Sequence, residues 1–392
     1  MEFVQARESY EWLCDALEVY KPRQSEFGRL NIQGTITSKR KIQRLVRGGH
    51  VLDWDDPRLY TLVALRRRGV PPAAILSFVA GLGVSTAVTS IQTVRLDQTI
   101  RSYLENTAPR LQMVLKPLKV ILENVPEDYI LMVDKPLHPK IPELGQTTIP
   151  FSRELFIDAD DFRLQDSKDY FRLAPGKTVG LFQAPHPITC TSYKLDPNTN
   201  EVVELTCRLE DGSISPAPPK PKAFIQWVAN HPPSGSPVVV DEARLFNQLF
   251  RSDNPAASED FIKDISPDSL EVVKGALIEV GFWPLAKKTY TEARNEAELR
   301  TRKALREEEV VPSSAAAIDS HVDSPIPTAD QLVGHECVRF QGLRVAYFTL
   351  DKGAVVGCLA ERDGITPGSR SGDRIILNRI VSLKEDGGKK TG

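Results

Sequence analysis

Apolar side chains recur at helical spacing in the first third of the chain. In residues 8–20 Tyr10, Leu13, Leu17 and Tyr20 fall on one face, which predicts an amphipathic helix before Pro22. A short β-prone stretch follows, and residues 38–49 then predict a helix that begins after Ser38 and closes at Gly48 and Gly49.

The helical pattern continues from residue 55 to about residue 124. One predicted helix ends at Gly69, and the next begins at a pair of prolines suited to a first turn. The segments "RLDQTIRSYLENTAPRL" and "VLKPLKVILEN" follow. The pattern therefore predicts a helical subdomain of four or five helices.

The pattern of apolar and polar residues changes near Val125. Short apolar runs separated by Pro, Gly, Asp and Asn continue to the end of the chain and predict strands of two β-barrels or a sandwich. Trp227 and Trp283 are predicted to lie in a core. Tyr347 and Phe348 alternate across a predicted strand, so one is expected to face the core and the other solvent. Residues 289–334 are charged and then rich in Ser, Ala and Pro, which predicts a short solvated helix and a flexible insertion.

The composition of the chain is typical of a soluble globular protein. Its 392 residues are 41% hydrophobic and 26% charged, and no apolar run reaches the length of a membrane span, so no membrane association is expected. The five cysteines are scattered and lack metal-ligand spacing, which predicts no protein-bound metal and fits a cytoplasmic location.

Charge is distributed unevenly although the formal net charge is only −2. Between Arg29 and Gly69 the chain has ten Lys or Arg residues against three Asp residues. A local positive field of this kind can attract a polyanion.

The densest part of this field is Ser38-Lys39-Arg40-Lys41. Taken alone, it is typical of a solvated helix start. It can equally be a loop that grips phosphate, because a flexible ammonium group can follow charge that develops on phosphate oxygens. The motifs around it favour the second interpretation.

The order of motifs resembles that of the glutaminyl-tRNA synthetases, class I aminoacyl-tRNA synthetases, most closely in their eukaryotic, fungal-type form. The resemblance extends from about Tyr10 to the last residues, and its most specific stretches are "EFGRLNI", "ITSKRK", "WDDPRLYTLVALRRRG", "NTAPR", "IPFSRELFI", "KPKAFIQWV", "VRFQGLRVAYFTLD" and "LNRIVSLKED". Each is weak alone, but together and in this order they are strong.

The resemblance implies a multidomain α + β chain. It assigns residues 1–50 to a remnant of a Rossmann-type catalytic domain and residues 51–124 to a helical subdomain along the inner side of tRNA. A proximal β-barrel takes 125–225 with 335–392, a distal β-barrel takes 226–288, and 289–334 is the insertion. The two barrels are expected to be anticodon-binding and ribosomal protein L25-like.

The resemblance also implies particular site residues. The family's KMSKS loop, which closes over ATP and its Mg²⁺, matches Ile36, Thr37, Ser38, Lys39 and Arg40, with Lys39 as the catalytic candidate. Arg29 and Leu30 are implied near the nucleotide together with Thr37 and Ser38. Implied tRNA contacts are Arg58, Arg66, Arg67, Arg68, Ser85, Thr86, Thr89 and Gln92. Candidates for reading anticodon bases are Phe182, Gln183, Arg208, Gln341 and Arg344.

The family's upstream half, with its HIGH signature and its glutamine pocket, has no counterpart here. We therefore expect the chain as given not to form glutaminyl-adenylate by itself. The predicted function is that of a monomeric glutamine–tRNA ligase that uses ATP, glutamine and the glutamine tRNA. The alternatives are a non-catalytic tRNA-binding module or shortened paralogue, and a eukaryotic-type glutamyl-tRNA synthetase.

Overall fold

The computed structural model describes residues 6–210, 221–310, 327–360 and 368–383. Among these residues, those up to Glu105 together with Phe246–Leu270 form one compact unit. Those of Asn106–Leu245 and from Glu271 onward form a second unit. No helix within the described ranges is long and apolar enough to cross a membrane.

The helices of the described residues are α1 (Arg7–Ala16), α2 (Lys39–Arg47), α3 (Leu62–Arg68), α4 (Pro72–Leu82), α5 (Thr93–Glu105), α6 (Phe282–Val310), α7 (Ala329–Leu332) and α8 (Gly357–Ala360). The strands up to residue 181 are β1 (Leu30–Ile32), β2 (Thr89–Ile91), β3 (Arg110–Leu111), β4 (Met113–Val114), β5 (Pro117–Leu122), β6 (Ile130–Pro136), β7 (Gln146–Ser152), β8 (Glu154–Asp158) and β9 (Thr178–Leu181). The remaining strands are β10 (Ile188–Leu195), β11 (Val202–Leu209), β12 (Phe224–Ile225), β13 (Val228–Ala229), β14 (Val238–Val240), β15 (Glu242–Phe246), β16 (Leu270–Val273), β17 (Ala276–Ile278), β18 (Arg339–Gly342), β19 (Ala346–Leu350) and β20 (Ile376–Ser382).

The first unit is mainly helical, and a hydrophobic cluster joins its loop and helix residues to residues 249–261. Its buried members are Ile36, Ile42, Leu45, Val51, Leu59, Ala64, Leu249, Phe250 and Phe261. Helix α3 begins after Thr61, whose side chain accepts a hydrogen bond from the Ala64 amide, and it closes at Gly69 with φ 91°. The predicted stop at Gly69 and the proline start of α4 are confirmed.

The predicted helix at the end of this region is wrong. Residues "PLKVIL" form strand β5, which pairs with β8 antiparallel and with β11 parallel. Leu118, Val120 and Leu122 alternate toward the core, so the period of the pattern is two rather than 3.6. The helical region therefore ends with α5, and it contains three helices between residues 51 and 124.

The second unit is built from sheets, and the largest has seven strands in the order β12-β9-β10-β11-β5-β8-β13. The buried members of its core lie between Leu118 and Ala229 and include Phe151, Trp227 and the facing pair Cys190 and Cys207. Trp227 is 1% exposed and packs edge-on against Phe151, as the sequence predicted for a core tryptophan.

A six-stranded sheet, β16-β15-β20-β19-β18-β3, and a three-stranded sheet, β14-β17-β4, share a separate core with the start of α6. Strand β20 pairs with β15 and β19, and β18 pairs with β3. The predicted grouping of 335–392 with 125–225 is therefore wrong, because these late strands complete a sheet with residues 110–111 and 242–273 instead.

Two local predictions also change. Tyr347 and Phe348 are both buried, because β19 lies between β18 and β20 and a register shift separates the two residues. The charged segment belongs to α6, a 29-residue helix that starts in the core at Phe282 and Trp283, so the helix is longer than predicted. Residues 311–326 of the predicted insertion lie outside the described residues.

A buried ion pair lies inside the second unit. Lys135 and Glu279 are 1% and 2% exposed at their side chains, and their charged atoms are 2.7 Å apart. Lys135 Nζ also donates to the Arg110 carbonyl, and Glu279 Oε2 accepts from the Gln112 amide. The pair thus joins β6 to the β3–β4 segment and to the chain after β17.

We expect Lys135→Met to lower the free energy of unfolding by about 3–5 kcal/mol, because it leaves the Glu279 carboxylate buried without its cation. The double variant Lys135→Met, Glu279→Gln should recover most of that loss. Urea unfolding followed by tryptophan fluorescence measures both. Lys140→Met, at an exposed position of the same unit, is the matched control, and equal stability of the two single variants would contradict the role of the pair.

Candidate functional site

The basic run lies where a loop turns into helix α2. Gly34 adopts φ 69° and its amide bonds to the Asp253 carbonyl, while Ile36 is 3% exposed and anchors the loop in the core. Ser38 occupies the N-cap position with an extended backbone, and its hydroxyl makes no capping bond. Buried Ile36 and the Gly34 hydrogen bond therefore anchor one side of the loop, whereas its polar side chains face solvent.

The structure divides the basic residues of this run between two environments. Lys41 lies over the Phe261 ring at 5.2 Å, and Arg44 lies over the same ring at 4.9 Å. Lys39 and Arg40 are exposed, and neither has a hydrogen bond or ion pair to any other described residue. Helix α2 also has no acidic residue in its first turn, so its N-terminal dipole and two cations all favour an anion there.

Two further predicted regions of this unit lie on adjacent strands. β1 and β2 pair in parallel, so that Leu30 is the partner of Thr89, and the Thr89 amide bonds to the Arg29 carbonyl. A side chain at Gly28 would meet the Ala87 carbonyl oxygen at 2.0 Å, so this close approach requires glycine.

The side chains around this strand pair reach solvent. Arg29, Ser85, Thr86, Thr89 and Gln92 are exposed, and Leu30 is 36% exposed. The fold thus brings the predicted nucleotide residues of β1 beside the predicted tRNA contacts of β2.

The predicted arginine contacts are used differently from one another. Arg58 is 12% exposed at its side chain and holds Asp56 through two nitrogens, at 3.0 and 2.8 Å. Arg67 pairs with Asp55, and Arg68 is buried near Asp97. Arg66 is the exposed member of the set. Arg58, Arg67 and Arg68 therefore organise their own unit, which the charge pattern alone did not reveal.

In the second unit, Gln183 follows strand β9 in an unusual conformation. Its φ is 60°, a left-handed value that is rare for a residue with a side chain, and its buried Oε1 has no partner within the described ranges. The preceding Phe182 carbonyl accepts from Gln112 Nε2 at 3.2 Å and from Trp227 Nε1 at 2.9 Å. Two buried donors therefore fix the turn that presents Gln183.

Gln341 and Arg344 lie at the β18–β19 hairpin. Gln341 is 8% exposed and its Oε1 has no partner among the described residues. Arg344 has φ 59°, and its Nη1 donates to the Phe224 carbonyl at 2.5 Å. Phe224 pairs with Gly180 at the end of β9, so the hairpin reaches the sheet edge that also carries Gln183.

Arg208, unlike the other anticodon candidates, forms an ion pair within its own strand segment. Its guanidinium pairs with Glu210 at 2.9 Å and is 37% exposed. Sequence reasoning missed two buried amides near the predicted residues, Gln112 and Gln226. A polar residue between the apolar neighbours of "FIQWV" and "RLQMV" was the available signal, but alternation alone would place it on an outer face.

No group of three or more His, Cys, Asp or Glu side chains in the described part of the chain is arranged to hold a metal ion.

Comparison with known proteins identifies the class. Residues 1–106 match the catalytic domain of the class I tRNA synthetases (E and Q), and residues 108–210 and 224–290 match two anticodon-binding domains of the same class. The chain belongs to the class I tRNA synthetases of the glutamate and glutamine type.

Its relatives narrow the comparison to glutamine. The chain is 41% identical to a probable glutamine–tRNA ligase of Schizosaccharomyces pombe over 390 residues, which cover 99% of this chain and 42% of that protein. It is 41% identical to the glutamine–tRNA ligase of Saccharomyces cerevisiae, covering 98% and 43%, and 40% identical to a glutamine–tRNA ligase protein of Hypocrea virens, covering 100% and 51%. The chain spans about half the length of these curated relatives.

We expect Asp56→Asn to lower the free energy of unfolding by about 2 kcal/mol at neutral pH, because it removes a buried acceptor of charged and backbone donors. Burial alone would raise the pKa of Asp56, but hydrogen bonds from Arg58 and from the Leu52 and Arg58 amides outweigh it and lower the pKa below its ordinary value. The carboxylate therefore stabilises the fold above its unfolded pKa, and this stabilisation is lost as the pH falls through the lowered value.

Urea unfolding followed by circular dichroism at several pH values checks this expectation. The difference from wild type should shrink as the pH falls below about 4. Asp253→Asn changes an exposed carboxylate in the same unit and should have little effect at any pH. A deficit for Asp56→Asn that is constant with pH would contradict the role of the charge.

Proposed function

We propose that this chain serves the ligation of glutamine to its tRNA, with its second unit recognising the anticodon and its first unit supplying a loop that binds ATP. The observation that supports it most is a pair of glutamine side chains, Gln183 and Gln341, whose buried Oε1 atoms have no partner among the described residues, in segments that align with glutamine–tRNA ligases. The family matches include glutamate enzymes, whereas the named relatives are glutamine–tRNA ligases, which favours glutamine.

Anticodon recognition in this proposal uses unpaired bases that enter the second unit. A splayed base has a polar edge, and an amide group can donate to it and accept from it. Gln183 and Gln341 each hold a buried Oε1 that no described residue satisfies, so a base can satisfy it without displacing an internal bond. Arg344 adds a cation at the same hairpin for phosphate or base oxygens.

The scaffold of this recognition is proposed to be the pair of ribosomal protein L25-like barrels. The seven-stranded sheet and the six-stranded sheet, each with its own core, support this assignment. Phe182 and Arg208 remain proposed contacts from the first of these sheets.

The loop at Ile36–Arg40 is proposed to be the family's KMSKS loop. It lies within the segment that matches the catalytic domain, and its polar side stays exposed while Ile36 is anchored. Lys39 and Arg40 can attract the phosphates of ATP, which brings its own Mg²⁺, and the Ser38 hydroxyl and α2 amides can donate to phosphate oxygens. The Lys39 ammonium group would stabilise the negative charge that develops on the leaving phosphates. Arg29, Leu30 and Thr37 would contact the nucleotide.

Contacts with the body of the tRNA are proposed at the exposed hydroxyl and amide side chains of Ser85, Thr86, Thr89 and Gln92. Their exposure beside β1 supports this assignment, since hydroxyl groups suit phosphate and 2′-hydroxyl oxygens. Arg66 is the proposed arginine contact, because its side chain is exposed, whereas Arg58 and Arg67 are half-buried and Arg68 is buried. The proposed functional state is a monomer.

We expect the chain to bind the glutamine tRNA more tightly than the glutamate tRNA, and Gln341→Ala to reduce that preference about tenfold, the scale of one lost base contact. Filter binding at several salt concentrations measures both, because phosphate contacts set the salt slope and base contacts set the preference. Gln146→Ala, at an exposed strand position, is the control. Equal and weak binding of both tRNAs by the wild type would overturn anticodon recognition.

For the loop, we expect Lys39→Ala to weaken binding of Mg-ATP about tenfold, the scale of one charge-assisted contact, without changing the unfolding temperature. Lys41→Ala should instead lower the unfolding temperature, because Lys41 contacts the buried Phe261 ring. Calorimetry of ATP binding and thermal unfolding separate the two. Unchanged ATP affinity in Lys39→Ala would remove Lys39 from the nucleotide site.

A further inference from the structure

Gln226 is a buried amide that the second unit does not satisfy. It lies between β12 and β13 and is 3% exposed, yet neither its Oε1 nor its Nε2 has a hydrogen-bond partner among the described residues. An amide buried in this way destabilises a fold, and an apolar side chain of similar shape would avoid that cost. A ligand that offers one donor and one acceptor could therefore satisfy both polar atoms of this side chain without breaking a hydrogen bond to a described residue.

The neighbours of Gln226 connect it to the other candidate residues. The Phe224 carbonyl accepts from Arg344, and the Ile225 carbonyl accepts from the Phe182 amide, next to Gln183. On its other side, the Trp227 amide donates to Gln112 Oε1 at 3.1 Å. Three backbone groups that flank Gln226 are thus held by Arg344, by the Phe182 amide and by the Gln112 side chain.

An aromatic surface lies two residues away. Phe224 is 51% exposed, and its ring lies against Gly180, where a side chain would come within 2.4 Å of the ring. A base that stacks on an exposed ring beside a buried amide can have its edge read by that amide.

We propose that Gln226 is a specificity-determining residue that hydrogen-bonds, through both its Oε1 and its Nε2, to the edge of one unpaired anticodon base. The proposal rests on the proposed function, since it names a further reading residue of the same region. The ligand is a nucleobase that offers adjacent donor and acceptor atoms. Gln112 and Trp227 act as positioning residues, because Gln112 holds the Trp227 backbone amide next to Gln226 and both side chains donate to the Phe182 carbonyl.

The test uses Gln226→Met, which keeps the length of the side chain and removes both polar atoms. The probes are the anticodon stem-loop RNA of the glutamine tRNA and three sets of variants, each substituted at one anticodon position. We expect wild type to discriminate at these positions, and Gln226→Met to lose about tenfold of the discrimination at one position only. Its unfolding temperature should equal or exceed that of wild type, because an unsatisfied amide is removed.

The controls separate the possible failures. Gln146→Met makes the same change at an exposed position and should leave discrimination unchanged. Gln226→Leu serves as a second apolar variant if the methionine variant does not fold. A wild type that does not discriminate would overturn the proposed function itself.

Discrimination by wild type that Gln226→Met retains at every position would overturn only the role of Gln226. A uniform loss of affinity for all RNAs, with a lower unfolding temperature, would assign Gln226 to structure and also overturn the proposal.

Discussion

The arrangement of strands in the second unit depends on a buried hydrogen-bond network centred on Gln112. The side chain of Gln112 donates to the Phe182 carbonyl and accepts from the Trp227 amide, and its backbone exchanges hydrogen bonds with Glu279. Glu279 in turn pairs with Lys135. In a low-dielectric interior such groups are costly unless they are paired, so satisfying them together selects one arrangement of the strands.

The same network explains why unsatisfied amides can persist nearby. Gln183, Gln226 and Gln341 each have a buried side-chain oxygen that no residue in the described part of the chain satisfies, and Gln183 and Arg344 have left-handed backbones. Such features destabilise a fold and are kept in place only when surrounding contacts determine them. Here the Phe182 carbonyl, held by two donors, and the Phe224 carbonyl, held by Arg344, supply those contacts. Packing and the proposed recognition thus depend on the same hydrogen bonds.

In the first unit, the positive side chains differ in whether they make internal contacts or face solvent. Its positive residues are numerous in the sequence, but many are already engaged, as Arg58 is with Asp56 and Lys41 is with Phe261. Lys39 and Arg40 lie at the solvent-facing start of α2, where no acidic side chain offsets them. The sequence shows only a local excess of positive charge. The folded structure shows which of these cations are engaged in internal contacts and which are exposed to solvent.

The sequence by itself determined the family, the helix boundaries at Gly69 and Pro72, and the buried tryptophans, because local capping, proline chemistry and motif order are properties of neighbouring residues. It misassigned residues 117–122, where an alternating run was taken for a helix, and it placed the strands of 335–392 in the wrong sheet. It also did not reveal that Arg58, Arg67 and Arg68, predicted as tRNA contacts, lie in ion pairs with Asp56, Asp55 and Asp97. Strand partners, ion pairs and the burial of Gln112 and Gln226 join residues far apart in the chain, so only the tertiary structure decided them.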